Sequence, residues 1–351
     1  MRKGDIIMKP MACILIALLC GMQVSFAGNE SKKGTAGAQE LLLPVGARGI
    51  ALGGSNASTA KGIDAIYWNP AGLALINGRG EALFSHMNYI ADIGVNFGAV
   101  AVNIEEVGTL ALSLKSLDFG NIPITTEEFP EGTGETFSPS YSVIGLSFAR
   151  SLTDRISVGA NFKLVSEKIA RTSATGLAFD AGVQYAFGTE TALSGVKFAV
   201  TLKNLGPSMQ YDGADLERNV VPPGTAWNNA QRALKYTSQA FELPSTLELG
   251  ISYDFMPTDA NRLTLNTLFQ NTNFGNDEYK GGLEYAFNEQ FFLRGGYLYS
   301  PEGNVNSSIY GASVGGGVNM DIGGVRAQLD YAYRETKYFQ GTNTISVLLG
   351  F

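Results

Sequence analysis

Apolar and polar residues alternate in many segments between residue 80 and the end of the chain, and this alternation constrains the fold more than any other feature. In one such segment, four polar or small residues alternate with the apolar residues Ile156, Val158, Ala160, Phe162 and Leu164. A period of two residues places the two sets on opposite faces of a β-strand. The pattern recurs near residues 247–255 and 325–334. It predicts an all-β chain whose strands each have one apolar and one polar face.

Strands alternate in this way in two all-β folds, a soluble sandwich and a transmembrane barrel, and composition distinguishes between them. Of 351 residues, 43 are glycine, 11% are aromatic and only 16% are charged, against about 25% charged residues in soluble domains. No segment after residue 27 is long and apolar enough for a membrane-spanning helix. Because an open sheet edge cannot stand in lipid, the composition favours a closed outer-membrane β-barrel with its apolar faces toward lipid.

The alternating segments predict about fourteen antiparallel strands, an even number as in bacterial single-chain barrels. Their first residues lie near Glu81, Ile93, Gly108, Ser140, Ile156, Ala174, Gly195, Ser245, Arg262, Asp277, Gln290, Ser308, Gly324 and Asn343. Short connections alternate with mostly longer ones, which is the arrangement of periplasmic turns and outer loops. In the longest connection, residues 206–244, the stretch 226–236 predicts a short helix at the rim.

The first 27 residues have the features of a secretory signal peptide. A basic start precedes a short apolar run, and a small residue at the cleavage position predicts processing between Ala27 and Gly28. A lipoprotein signal acting at Cys20 is the alternative. Both cysteines lie in this segment, so we expect no disulfide in the mature chain. We therefore divide the chain into a signal peptide (1–27), an N-terminal plug or hatch segment (28–78) and the barrel (79–351).

The last residues resemble the insertion signal that the barrel-assembly machinery reads. Alternate apolar residues end on a C-terminal aromatic residue: Ile345, Val347, Leu349 and Phe351. Expected partners are therefore outer-membrane lipid and that machinery. The net charge of −7 makes the chain a poor nucleic-acid binder, so we expect no nucleic-acid partner.

Charged residues on the polar faces of the strands are expected to face the lumen. They are Lys163, Asp180, Glu248, Asp254, Lys280, Glu284, Arg294, Arg326, Asp330 and Arg334. Opposite charges on neighbouring strands can pair and hold the wall in shape. We interpret them as structural ion pairs rather than as catalytic carboxylates, although they could also line a polar path.

Catalytic chemistry has little support in the sequence. The chain has a single histidine, His86, beside Ser85, and an outer-membrane hydrolase is a hypothesis that depends on this histidine alone. No metal-binding or phosphate-binding motif is present. We expect a protein that is not an enzyme, with no catalytic residue, no metal site and no cofactor.

The glycine-rich segment 42–74 is neither a strand nor a spanning helix, and it ends in Tyr67, Trp68, Asn69, Pro70, Ala71 and Gly72. Pro70 lacks a backbone donor and restricts the residue before it, so it should end the preceding segment sharply. The amphipathic rings of Tyr67 and Trp68 suit a wedge between plug and wall.

The same motif, together with the preceding glycine-rich residues and Asp64, resembles the opening of the PorV/PorQ family, which is related to FadL-type outer-membrane transporters. The resemblance implies a fourteen-stranded barrel with an N-terminal plug in the Gram-negative outer membrane. Some members act in type IX secretion and receive cargo that carries a C-terminal sorting domain. FadL relatives admit hydrophobic molecules through a lateral opening. We therefore expect a secretion or transport component with secreted cargo or envelope proteins as partners, or alternatively a FadL-like conduit for hydrophobic small molecules.

Overall fold

The computed structural model describes residues 32, 34–188, 193–220, 232–302 and 305–351. The predicted signal peptide and the cleavage position between Ala27 and Gly28 lie outside the described residues. Within the described ranges, no helix has the length and apolar character needed to cross a membrane.

A closed barrel of 14 antiparallel strands forms the body of the molecule, which confirms the predicted fold class and the strand number. In chain order the strands are β1 (Gly80–Asn88), β2 (Gly94–Ile104), β3 (Gly108–Asp118), β4 (Ser140–Ser151), β5 (Ile156–Ile169), β6 (Thr172–Ala186), β7 (Val196–Leu205), β8 (Thr246–Thr258), β9 (Asn261–Thr272), β10 (Glu278–Phe287), β11 (Phe291–Tyr299), β12 (Tyr310–Ile322), β13 (Val325–Thr336) and β14 (Thr342–Gly350). Each strand pairs with its neighbour in sequence, and β14 pairs with β1 to close the ring. Every predicted strand start lies within two residues of the observed one.

The two faces of each strand follow the alternation in the sequence. On β5 the side chain of Phe162 is 63% exposed on the outer surface, whereas its neighbour Asn161 is buried inside. On β8, Leu249 faces outward and Glu248 is buried. The apolar outer side chains can lie against lipid. The closed ring of strand pairs provides hydrogen-bond partners for the backbone N–H and C=O groups within the bilayer.

The two ends of the barrel differ in the length of their connections. One end has tight turns, such as the two-residue turn of Gly323 and Gly324 between β12 and β13, where both residues have positive φ. Two-residue turns of this kind match the right-handed twist of the paired strands, and their positive φ angles favour glycine. The other end carries the connections 119–139, 206–245 and 300–309. By the barrel rule the tight turns are periplasmic and the long connections face the exterior.

The outer connections contain short hairpins. Ile122–Pro123 pairs with Thr136–Phe137, and Pro301–Glu302 pairs with Val305–Asn306. In the longest connection, Glu217–Val220 pairs with Arg232–Lys235. The predicted rim helix over 226–236 is therefore wrong for residues 232–235, which form a strand because a partner segment is available; residues 226–231 lie outside the described part.

The segment before β1 lies inside the barrel, and we call residues 34–78 the plug. It consists of short helical turns: a 3-10 turn at Gln39–Leu42, helix α1 (Ala47–Ala51), 3-10 turns at Asn56–Ser58 and Gly62–Asp64, helix α2 (Ala65–Trp68) and a 3-10 helix at Pro70–Leu75. Two further 3-10 turns, Ile90–Asp92 and Ala214–Leu216, lie in outer connections. Small residues dominate the plug, so its backbone can approach the inner wall closely.

Candidate functional site

The Asn69-Pro70 pair fastens the plug to the wall at β5 and β6. The Asn69 side chain accepts a hydrogen bond from the backbone N–H of Ala71 at 3.1 Å, which caps the 3-10 helix whose first residue is Pro70. Its amide nitrogen donates to the carbonyl oxygens of Ala57 in the plug and Val183 in β6, at 3.1 and 3.2 Å. One buried side chain therefore ends α2, starts the next helix and binds the wall.

Trp68 packs mainly within the plug. Its indole lies against Gly49 of α1 and near Gly54, and its ring meets that of Tyr67 edge-on with centroids 4.9 Å apart. The same apolar cluster includes Met87 and Ala332 of the wall. Tyr67 donates from its hydroxyl to the carbonyl of Leu42 at 2.9 Å, and burial raises its pKa well above the usual value. The two rings thus join the first and second halves of the plug.

Glycines on the inner wall form two seats for the plug backbone. At the first seat, a Cβ on Gly159 or Gly182 would overlap the backbone or side chains of Asn69, Pro70 and Ala71. The second seat consists of Gly282, Gly296 and Gly315, which contact residues 51–55. A Cβ on Gly282 would lie 2.5 Å from the Ser55 hydroxyl and 2.6 Å from the Leu52 carbonyl oxygen. Wall glycines therefore admit the plug at a distance that no other residue allows.

Hydroxyl groups of the wall bind the start of α1. The backbone N–H groups of Gly46 and Ala47 donate to Ser85 on β1 and Ser346 on β14 at 3.3 and 3.2 Å. Near the end of this helix, the Ser313 hydroxyl donates to the carbonyl of Ala51 at 3.1 Å. These bonds satisfy backbone groups that a short helix leaves unpaired.

An ion-pair network fills the periplasmic half of the lumen, and Glu284 is its centre. This buried carboxylate contacts Arg48 of the plug at 3.0 Å, Arg294 at 2.7 Å and Arg262 at 3.2 Å. Arg294 in turn contacts Asp330 at 2.5 Å. Burial alone would lower the pKa of Arg48, but the charge of Glu284 and its hydrogen bond raise it overall. The network therefore ties the plug to three strands through a single carboxylate.

A cavity of about 450 Å³ lies beside this network at the periplasmic end. Asp64 of the plug faces it, and burial raises the pKa of this carboxyl to about 6 although the nearby Arg48 opposes the shift. Burial and the charges of Lys197 and Arg48 lower the pKa of Lys61, another lining residue. Glu81 accepts a hydrogen bond from the Ile63 N–H at 2.8 Å and pairs with Arg326.

In the outer half, a second set of charged groups holds the start of the plug. Lys115 of β3 donates to the backbone carbonyls of Glu40 and Leu43 at 2.6 and 3.0 Å. The side chain of Glu40 is 2% exposed; burial, followed by the charge of Glu167 on β5, raises its pKa to about 8. Glu167 also accepts a hydrogen bond from the hydroxyl of Tyr211 in the longest outer connection. Plug, wall and outer connection therefore meet at two neighbouring carboxyl groups.

A larger cavity, of about 590 Å³, lies between the plug and the exterior. Tyr67 and Trp68 form part of its floor, together with Ile50. Lys203 lines it, pairs with Glu248 at 2.9 Å and lies over the Tyr67 ring at 4.8 Å. The plug thus separates an outer cavity with many aromatic residues from a periplasmic cavity with many charges.

The structure places the side chains of all ten of these charged residues on the inner side of the wall, and five of them take part in the contacts above: Glu248, Glu284, Arg294, Arg326 and Asp330. Four more of the ten form ion pairs: Lys163 with Asp180 at 2.6 Å, Asp254 with Lys197 at 2.5 Å and Lys280 with Glu278 at 3.0 Å. Ile345, Val347 and Leu349 face outward, and the Phe351 backbone pairs with Gly80. Whether these residues act as an insertion signal stays a prediction.

Ser85 and His86 do not form a catalytic pair. Ser85 points inward to the plug, whereas His86 is exposed on the outer surface and contacts the side-chain oxygens of Asn96 and Asn88 at 2.8 and 3.0 Å. Adjacent residues in a strand point to opposite faces. The hydrolase hypothesis therefore loses its only pair of residues.

Sequence reasoning missed several residues that hold the plug: Arg48, Glu40, Glu81 and Lys115. Glu81 and Lys115 lie on the inward side of β1 and β3, so the alternation could have identified them. Arg48 and Glu40 lie in irregular turns without periodicity, and their partners are more than seventy residues away. No local signal identifies such contacts.

Residues 26–273 match the sequence model of the family described as "Type IX secretion system protein PorV". The chain belongs to the PorV family. None of the curated protein sequences matches this chain.

Solved structures with a similar fold are FadL-type channels. The CymD monoaromatic hydrocarbon channel has a TM-score of 0.55 at 13% identity, with 88% of this chain and 98% of that chain covered. The Pseudomonas putida toluene transporter TodX has a TM-score of 0.53 at 13% identity, with coverages of 86% and 96%. A Pseudomonas aeruginosa FadL homologue reaches 0.51 at 13% identity, with coverages of 88% and 98%. At this identity the likeness establishes the fold only. This PorV-family protein is an outer-membrane β-barrel.

Proposed function

We propose that this PorV-family barrel is a cell-envelope component of type IX-like protein secretion, and that it acts by binding secreted cargo or other envelope proteins at its outer loops. The observation that supports this most is the fastening of the plug. Glycine seats, the Asn69 bonds and the Glu284 network hold it against opposite sides of the lumen. A polypeptide could pass only if all of these contacts broke, so a binding role suits the barrel better than a polypeptide pore.

The longest outer connection is the best candidate for the binding surface. Its two parts are held in place by a hairpin and by the contact between Tyr211 and Glu167. Leu234 in the hairpin and Tyr236 directly after it are exposed. Exposed apolar side chains in an ordered outer segment are typical of protein-binding surfaces. We infer binding rather than catalysis, since Ser85 and His86 lie on opposite faces.

The test replaces residues 217–235 by a short Gly-Ser linker in the native bacterium. We expect cargo proteins to be lost from the cell surface and to accumulate in the periplasm, while the extracted barrel keeps its heat-modifiable gel migration. The same replacement of residues 122–137 is the matched outer-loop control. Normal secretion by the 217–235 variant would contradict the proposal.

A second candidate function is a FadL-like conduit for hydrophobic small molecules, and the outer cavity is the observation that favours it. Leu41, Leu42, Leu43, Pro44 and Leu298 line this space beside the aromatic floor. Uptake of a monoaromatic hydrocarbon into vesicles containing the purified protein tests it. Uptake no faster than in protein-free vesicles would exclude the conduit.

A further inference from the structure

The outer cavity has the size and lining of a small-molecule site. Its volume of about 590 Å³ falls within the roughly 300–1,000 Å³ usual for ligand pockets. Its apolar lining comes from the plug on one side and from β11 and the outer connections on the other. Its aromatic lining includes Trp68 in the floor, Tyr89 after β1 and Tyr310 at the start of β12.

The charges that face this cavity do not balance. Two cations are paired with carboxylates, Lys203 with Glu248 and Lys280 with Glu278. The described lining has five charged residues, and these two pairs account for four of them. The fifth is Arg334 on β13, which forms no ion pair with any residue that the structure describes. The described lining therefore carries one positive charge more than it has negative charges.

Arg334 is a buried cation in which two of the three nitrogens lack a hydrogen-bond acceptor among the described residues. The residue is 7% exposed, and its Nε and one terminal nitrogen have no hydrogen-bond partner within the described part of the chain. The guanidinium carbon lies 3.7 Å from the centroid of the Tyr310 ring, which stacks on one face of the group. The Tyr310 hydroxyl is held in turn by the hydroxyl of Tyr89 at 2.6 Å. The ring orients the guanidinium but does not neutralise it.

The periplasmic half shows how the same protein treats other buried guanidinium groups. Arg48, Arg294 and Arg262 each contact a carboxylate in the Glu284 network. Arginine cannot lose its proton, and an unpaired buried charge is costly. A planar guanidinium with free N–H groups matches the two oxygens of a carboxylate. Arg334 therefore has the chemistry of a ligand-binding group rather than of a structural one.

We propose that the outer cavity binds a small organic monocarboxylate with a ring-sized apolar body. The carboxylate accepts hydrogen bonds from Arg334, and the body lies against Trp68, Tyr67 and Leu298. A single negative charge neutralises the lining, and a planar body suits the aromatic walls. The site does not depend on the secretion role: it would exist whether or not the outer loops bind cargo.

The test measures binding of 3-phenylpropionate to the purified full-length protein in detergent by isothermal titration calorimetry. We expect saturable binding with one site per barrel. The neutral analogue 3-phenylpropanol has the same body without the charge and should bind at least tenfold more weakly. Nonanoate has the same charge and carbon number in a linear chain and should also bind more weakly.

Variants then assign the binding to the guanidinium. Arg334→Gln should weaken 3-phenylpropionate binding at least tenfold and leave 3-phenylpropanol unchanged, whereas Arg334→Lys should retain part of the affinity because it keeps the charge. Lys337→Gln removes a positive charge from the outer surface and should bind normally. The proposal is overturned if the acid does not bind, if the alcohol or nonanoate binds as tightly, or if Arg334→Gln or, should that variant not insert, Arg334→Lys binds like wild type.

Discussion

The two halves of the lumen hold the same plug by different means. In the periplasmic half, Glu284 joins three guanidinium groups and ties α1 to the wall. In the outer half, backbone carbonyls of the plug bind Lys115, two carboxyl groups lie side by side, and Arg334 has no carboxylate partner among the described residues. The three arginines around Glu284 in the periplasmic half each have a carboxylate partner, whereas Arg334 in the outer half forms no ion pair with any described residue. The difference indicates that the Glu284 network fixes the plug, whereas the outer half has a cation that is free to bind a ligand.

The largest effect is expected when the central carboxylate of the periplasmic ion-pair network is removed. Glu284→Gln should loosen the plug by about 3–5 kcal/mol, because removing one partner of a buried ion pair leaves the remaining charges uncompensated. Here three arginines lose their common carboxylate. Hydrogen exchange of the amides at residues 46–59 measures the local free energy of opening.

Two controls sharpen this comparison. Glu289→Gln removes an ion pair with Arg262 whose carboxylate side chain is 62% exposed, so it should cost less than about 1 kcal/mol. Glu248→Gln breaks a buried outer-half pair, but it leaves a single cation, Lys203, without its carboxylate instead of three arginines. If Glu284→Gln exchanges no faster than these controls, the network does not hold the plug.

The second prediction concerns Glu40 in the outer half, where the substitution should stabilise the docked plug instead of loosening it. The pKa of Glu40 in the folded protein is about 8, above the roughly 4.3 of an unfolded glutamate. Its stabilising contribution is complete below the unfolded pKa and is lost as the pH rises toward 8. Glu40→Gln should therefore change nothing near pH 4 and stabilise the docked plug by roughly 2–4 kcal/mol above pH 8.

Exchange of the amides at residues 38–43, followed from pH 5 to 9, checks this pH dependence after correction for the intrinsic exchange rate. Glu242→Gln is the control, since Glu242 forms an exposed pair with Lys32. A variant whose profile runs parallel to wild type across this range would show that Glu40 does not titrate while buried.

A third prediction concerns the seats that both halves share. Gly282→Ala should cost about 1–3 kcal/mol, since its Cβ would overlap Ser55 and Leu52 and the plug would have to shift. Gly281 is its neighbour on β10, faces the outer surface and has no atom within 4 Å of a built Cβ. Gly281→Ala should leave the plug unchanged. Equal protection of residues 51–55 in the two variants would rule out the glycine seat.

Much of the wall could be predicted from the sequence, and little of the plug. The face of Glu248 or Phe162 follows from a period of two, which is a local property of the strand. The partners of Arg48 and the role of Gly282 depend on which strands meet the plug, and no local pattern contains that information. The error at residues 232–235 has the same origin, because pairing with residues 217–220 overrides local helical preference.

The smallest predicted effect concerns the Asn-Pro pair of the plug. The test compares two buried asparagines of the plug, Asn69 and Asn56. Asn69 makes three hydrogen bonds, one of them to Val183 of the wall, whereas the side-chain oxygen and nitrogen of Asn56 have no partner within the described residues. Both are 0% exposed, so truncation to alanine removes the same volume from each site. Asn69→Ala should cost about 1–2 kcal/mol more than Asn56→Ala, because it removes a helix cap and two further hydrogen bonds, to the carbonyls of Ala57 and Val183. Chemical denaturation of the plug, followed by Trp68 fluorescence in a Trp227→Phe background, measures the difference. Equal destabilisation by the two variants would mean that the Asn-Pro pair contributes volume only, and the fastening of the plug would then depend on the glycine seats and on Glu284.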